Sequence, residues 1–166
     1  PRKPLAILYP HLRAAQQDVE INSHEKNWLL SPASPIVLCR LRSQTRSGIA
    51  IEEVAPGLAH LGVMLPYSPL LALISDHFQK PLVATSANIS GCPIEYKDKL
   101  ALDNLAGIAD YFLINNREIV VPQDDSVLRC TTAGHPILIR RSRGFAPAVM
   151  DQILEPAFEP LLAMGA

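Results

Sequence analysis

At 166 residues and 48% hydrophobic, the chain is long enough for one domain with a substantial core. A net charge of −1 sets up no global field toward nucleic acid or membrane; no run of about 18 apolar residues offers a span, and no charged-then-apolar leader opens the chain. Cys39, Cys92 and Cys130 are odd in number and widely spaced, so they suggest neither a disulfide framework nor a zinc site but a reducing cytoplasm.

Leu5–Tyr9 reads as a short strand ended by Pro10, and Gln16–Leu30 as a helix stopped by Ser31-Pro-Ala-Ser-Pro35. Ile36–Leu41 is the next strand, with Arg40 and Arg42 at its end and Ala55-Pro-Gly57 as a later turn. Leu61–Leu65 is a further apolar run. Ser68 is placed to cap a helix over Pro69–Phe78, because proline suits a first turn and Leu70, Leu71, Leu73 and Ile74 supply an apolar face. Leu82–Ala84 follows as a buried strand and Lys97–Ala106 as a helix. Ala109–Leu113, Ile119–Val121, Ser126–Thr131 and Ile137–Arg140 read as strands, the last two joined through Ala133-Gly-His135-Pro. Strands mixed with helices, without one repeating period, predict an α/β or α+β domain with a mixed, twisted sheet. From Pro147 the chain turns apolar and proline-broken, and 148–166 reads as a linker into something else.

Four strings carry candidate chemistry. In Pro81–Gly91 an apolar strand runs into a turn bearing Thr85, Ser86, Asn88 and Ser90. Ligands of open α/β sheets bind beyond strand carboxyl ends, and turns rich in N–H groups cradle anions, although the same string also suits an ordinary polar turn. Tyr67 and Ser68 sit at a strand-to-helix junction, as substrate contacts or as a half-buried ring and a helix cap. Asp124 and Asp125 suit a magnesium ion or a solvated turn. Arg140, Arg141 and Arg143 precede Gly144, and guanidinium forks match phosphate oxygens. Five histidines show no metal-binding spacing, and no Gly-x-Gly-x-x-Gly or Gly-Lys-Ser/Thr string appears.

Lys3-Pro-Leu-Ala-Ile7, Val54-Ala-Pro-Gly57, Leu61–Leu70, Pro81–Gly91, Ile108–Leu113, Asp124–Val127 and Arg140–Pro147, taken in order, resemble the YrdC-like domain of the HypF carbamoyltransferases. The resemblance implies a YrdC-like twisted sheet over 1–147, truncated at its N-terminus, with 148–166 leading into a Kae1-like domain. It implies ATP, accompanied by Mg2+, and carbamoyl phosphate as substrates. A carbamoyl adenylate would form with release of pyrophosphate, and the carbamoyl group would pass to HypE in nickel-iron hydrogenase maturation. Ser86 and Asn88 would hold phosphates with Thr85 beside them. Ser126 and Arg140 would contact the nucleotide, Arg141 and Arg143 would add positive charge, and Lys3, Tyr67 and Ser68 would face the substrate. No protein metal site is implied, and a slice of this kind is expected to be inactive alone. Related stand-alone proteins make threonylcarbamoyl-AMP or bind RNA, which is the alternative reading. Tyr67 resembles the HypF pattern, Ala87 the threonylcarbamoyl one, and Asn115 stands where HypF proteins carry a histidine.

Overall fold

Alternation along β3 (Ile36–Leu41) decides how this protein divides into layers. Val37 and Cys39 are fully buried on one face, while Ile36 and Leu38 point to the other. The structure, a computed structural model, describes residues 4–146. The expectations for Lys3 and for 148–166 lie outside that range.

Around β3 the sheet gathers β1 (Ala6–Leu8), β2 (Val19–Glu20), β4 (His60–Met64), β5 (Leu82–Ala84), β6 (Val127–Cys130) and β7 (Pro136–Arg140). The order is β5-β1-β4-β3-β6-β7, with β2 pairing onto the far end of β3. The β1–β4 and β3–β6 pairs are parallel and the others antiparallel, so the sheet is mixed, as the sequence predicts. The helices are α1 (Leu12–Ala15), α2 (Ser23–Leu29), α3 (Ile51–Val54), α4 (Pro69–Phe78) and α5 (Asp98–Leu105).

The back face holds the larger core. Ile7, Val37, Leu61, Val63 and Leu128 pack there with Ala15, Leu29 and Val54 from α1, α2 and α3. Burying such side chains stabilises by about 1.5–3 kcal/mol each. The front cluster is smaller: Leu8, Ile36 and Met64, flanked by Ala6, Leu82, Ala84 and Val127, with Leu71 of α4 over them. That thin cover leaves room for a cavity.

Three segments depart from the sequence expectation. The helix expected over Gln16–Leu30 breaks, because β-branched Val19 joins the sheet opposite Leu41. Asn22 then starts α2 with a capping box, its Oδ1 accepting from Glu25 N at 2.9 Å while Glu25 Oε2 accepts from Asn22 N at 2.9 Å. Ala109–Leu113 and Ile119–Val121 form no strands. They find no ladder partner among the described residues, and Tyr111 and Val120 stand 93% and 82% exposed. An apolar pattern is not enough to make a strand without a neighbouring edge.

Candidate functional site

The front face of the sheet carries a cavity of about 410 Å3. Its floor starts from small residues in register: Ala84 on β5 opposes Ala6 on β1, and Ala6 pairs with Gly62 on β4. Leu38 extends that row, and Ile36, Met64 and Val127 form the next. A Cβ on Gly62 would come within 3.0 Å of Ile36 Cγ2, so glycine is what lets Ile36 lie down across β4. The result is an apolar slot with polar groups at its rim. Sequence reading assigned no role to Ala6, Gly62 or Ala84; the available signal was a glycine inside a strand otherwise rich in Leu and Val.

Thr85 and Ser86 line one rim where β5 ends. Asn88 does not reach the lining but builds the turn. Its Nδ2 donates to Ile89 O at 3.0 Å and to Cys92 O at 2.9 Å, and Ser86 Oγ donates to its Oδ1. A further bond from Glu95 N to Ala87 O, 2.8 Å, closes the loop from outside. The hydroxyls of Thr85 and Ser86 are therefore carried on a braced turn rather than a free one.

Arg140 and both acids form the facing rim. Arg140 Nη1 meets Asp124 Oδ2 at 2.5 Å, and its Nε donates to Asp125 O at 2.7 Å. Asp125 Oδ1 is taken by Arg143, from Nη2 at 2.8 Å and Nε at 3.0 Å. Each acid thus answers one arginine, so neither is the freely solvated turn residue weighed from the sequence. Among the described residues, no three His, Cys, Asp or Glu side chains converge as a metal site.

The arginine string divides. Arg140 faces the cavity and Arg141 is exposed outside its lining. Arg143 turns away, donating to Ser34 O at 2.9 Å and to Ala33 O at 3.4 Å, with its guanidinium 3.6 Å from the Tyr67 ring centroid. The sequence grouped Arg143 with the phosphate contacts; the structure spends its donors on the protein. Ser126 differs in the same way. It is wholly buried behind the rim, where its Oγ donates to Arg143 O at 2.9 Å and accepts from Ser142 N at 2.7 Å. Tyr67 lies under Arg143 outside the lining, and burial, then the Asp125 charge, pushes its phenol above the usual value. Ser68 is the cap of α4, accepting from Leu71 N at 3.3 Å.

The chain matches the Sua5–YciO–YrdC family, described as Telomere recombination, over residues 1–142. The carbamoyltransferase HypF of a Synechocystis species is 42% identical over 165 residues, which is 99% of this chain and 21% of that protein. HypF of Rhizobium leguminosarum is 40% identical over 90% of this chain and 20% of its own length. The chain thus spans about a fifth of these relatives. The crystal structure of full-length HypF in the phosphate- and nucleotide-bound form superposes with a TM-score of 0.81 at 39% identity, covering 87% of this chain and 19% of that one. P. abyssi Sua5, complexed with L-threonine, shares the fold at a TM-score of 0.65 and 19% identity, over 84% of this chain and 40% of its own. On the match over residues 1–142, most of the chain, this chain belongs to the Sua5–YciO–YrdC family.

Proposed function

We propose that the front cavity binds ATP and that the chain serves a carbamoyltransferase of the HypF kind. In this reading a carbamoyl group derived from carbamoyl phosphate is joined to the nucleotide as a carbamoyl adenylate, in the cytoplasm, for transfer to HypE. One observation carries the reading. An apolar slot of about 410 Å3 has hydroxyls on one rim and a guanidinium on the other, in a chain about 40% identical to HypF carbamoyltransferases. The slot suits a flat heterocycle and the rims suit phosphates.

Thr85 donates to a phosphate oxygen, and the Ser86 hydroxyl, whose one proton goes to Asn88 Oδ1, turns from that bond to donate to a second, while the Asn88 bonds to Ile89 O and Cys92 O keep the turn in place. Arg140 is held in place by Asp124 and offers its remaining N–H groups to the charge that builds as pyrophosphate leaves. Mg2+ would arrive on the nucleotide phosphates. It would supply charge neutralisation there, with Asp124 and Asp125 the nearest carboxylates on the cavity rim.

ATP–pyrophosphate exchange in the full-length protein tests the reading. Exchange that requires carbamoyl phosphate supports it. Exchange that requires threonine and bicarbonate instead points to threonylcarbamoyl-AMP chemistry, and absence of saturable ATP binding overturns both.

A further inference from the structure

A second cavity lies at the opposite end of β3. Arg13 of α1 and Arg42 and Arg46 of the loop after β3 line a hollow of about 440 Å3 with Gln16, Gln17 and Gln44. The six residues of β3 separate it from the acidic rim of the front cavity by about 20 Å.

Its charge is unbalanced. No carboxylate is among the lining residues, and the ion pairs found among the described residues belong to Arg140 and Arg143. The arginines are nonetheless held together by the fold. Arg42 Nε donates to Gln16 O at 2.9 Å and to Val19 O at 3.2 Å, which fixes the side chain and leaves its terminal nitrogens unbonded among the described residues. The loop carrying Arg46 is pinned from beneath by Asp18, which is wholly buried. Its Oδ1 accepts from Arg46 N at 2.8 Å and Ser47 N at 3.0 Å, and its Oδ2 accepts from Tyr9 Oη at 2.9 Å. The Ser47 hydroxyl donates to Oδ2 as well, so Asp18 is occupied by backbone N–H groups and by the Tyr9 and Ser47 hydroxyls rather than by the guanidinium groups.

Three like charges gathered in a concavity repel one another, and an anion relieves that repulsion. Guanidinium and amide N–H groups are the donors that fit phosphate oxygens. The lining holds no aromatic or aliphatic side chain on which a base could stack, and the hollow is of small-ligand size. We infer that this cavity is a second anion site, taking a phosphoryl group of a small compound such as inorganic pyrophosphate or an acyl phosphate. The inference stands apart from the nucleotide reading of the front face.

Hydrogen exchange read by mass spectrometry tests it, using the full-length protein with saturating pyrophosphate. Slowed exchange is expected in peptides covering 42–48, and the affinity read from that protection should fall at least about tenfold in Arg13→Glu/Arg46→Glu. Both side chains are exposed and make no contact that the fold needs. Arg46→Gln alone, which keeps the size, should weaken the same protection by about threefold. Protection confined to 82–92 assigns the pyrophosphate to the front cavity and overturns the inference, as does unchanged protection of 42–48 in the double variant. A single-stranded oligonucleotide protecting 42–48 at lower concentration than pyrophosphate or acetyl phosphate would overturn the small-molecule assignment.

Discussion

Arg143 lies over the Tyr67 ring, its guanidinium carbon 3.6 Å from the centroid, while two of its nitrogens donate to Asp125. The contact joins Tyr67, two residues before α4, to the segment after β7, two parts of the chain far apart in sequence. Arg143 and Asp125 side chains are 22% and 29% exposed, so water screens the pair only in part. Arg143→Ala is expected to destabilise by about 2–3 kcal/mol, since it leaves Asp125 and the Ser34 carbonyl short of donors. Tyr67→Leu should cost about 1 kcal/mol. In urea unfolding, the Arg143→Ala/Asp125→Ala double variant should lose less than the sum of the singles. Additive losses would show that the ion pair is not coupled.

Arg140 should behave in the opposite way. Its pair with Asp124 is more than a third exposed on both sides, and such pairs contribute little to folding. Arg140→Ala is therefore expected to shift the urea midpoint hardly at all, while weakening ATP binding by about 1.5–3 kcal/mol in calorimetry with the full-length protein. Unchanged affinity would remove Arg140 from the nucleotide site.

These two arginines, three positions apart, mark where sequence reading succeeds and where it stops. Ser68-Pro69 starts α4, and the helix runs over Pro69–Phe78 as expected, because a cap and an N1 proline act on their own turn. Ile36–Leu41 also forms as read, from a dense apolar run, whereas Leu82–Ala84 forms a strand but not the buried one expected: β5 ends the sheet, paired on one side by β1, and Val83 is 54% exposed. The Thr85–Gly91 segment forms a turn, as read, for the same local reason, its Asn88 side chain bonding within the segment and just beyond it. Arg140 and Arg143 were not separable, because their fates depend on partners elsewhere: Asp124 for one, and Ser34 with Tyr67 for the other. Asp18 was invisible as a structural residue, since the backbone donors it accepts from lie 28 and 29 positions along the chain.

The back core carries an alkaline limit. Burial pushes the Cys39 thiol above its ordinary value, with the Glu25 and Cys130 charges adding to the effect. A thiol that ionises later in the folded chain than in the unfolded one binds more protons when folded. Its contribution is whole below the unfolded value and is lost as pH rises above it. The urea midpoint is expected to fall as pH climbs from about 8.5 toward about 9.5, below the range where tyrosines ionise. Cys39→Ala should flatten that slope, with Cys130, also raised by burial, accounting for the remainder. An equal slope in the variant would show that Cys39 does not carry the effect.

Gly144 is the hinge of the latch that sets the arginines apart. Its φ of +85° lies in the left-handed region, and a Cβ there would sit 2.4 Å from the Ala33 carbonyl oxygen. Conformation and contact both require glycine, and the obstructing atom is backbone that no rotamer change can move. The close approach lets Phe145 reach Trp28, with ring centroids 5.6 Å apart, at the edge of the back core. It also carries Arg143 to Ser34. Gly144→Ala is expected to cost about 2–4 kcal/mol in urea unfolding and to unseat Phe145, exposing Trp28 to solvent and shifting its fluorescence to the red. Arg140 precedes the latch and keeps its own partners, Asp124 and the Asp125 carbonyl. ATP affinity measured well below the unfolding midpoint should therefore fall less in Gly144→Ala than in Arg140→Ala. Wild-type stability and an unshifted Trp28 emission in Gly144→Ala would show that the latch does not hold the segment.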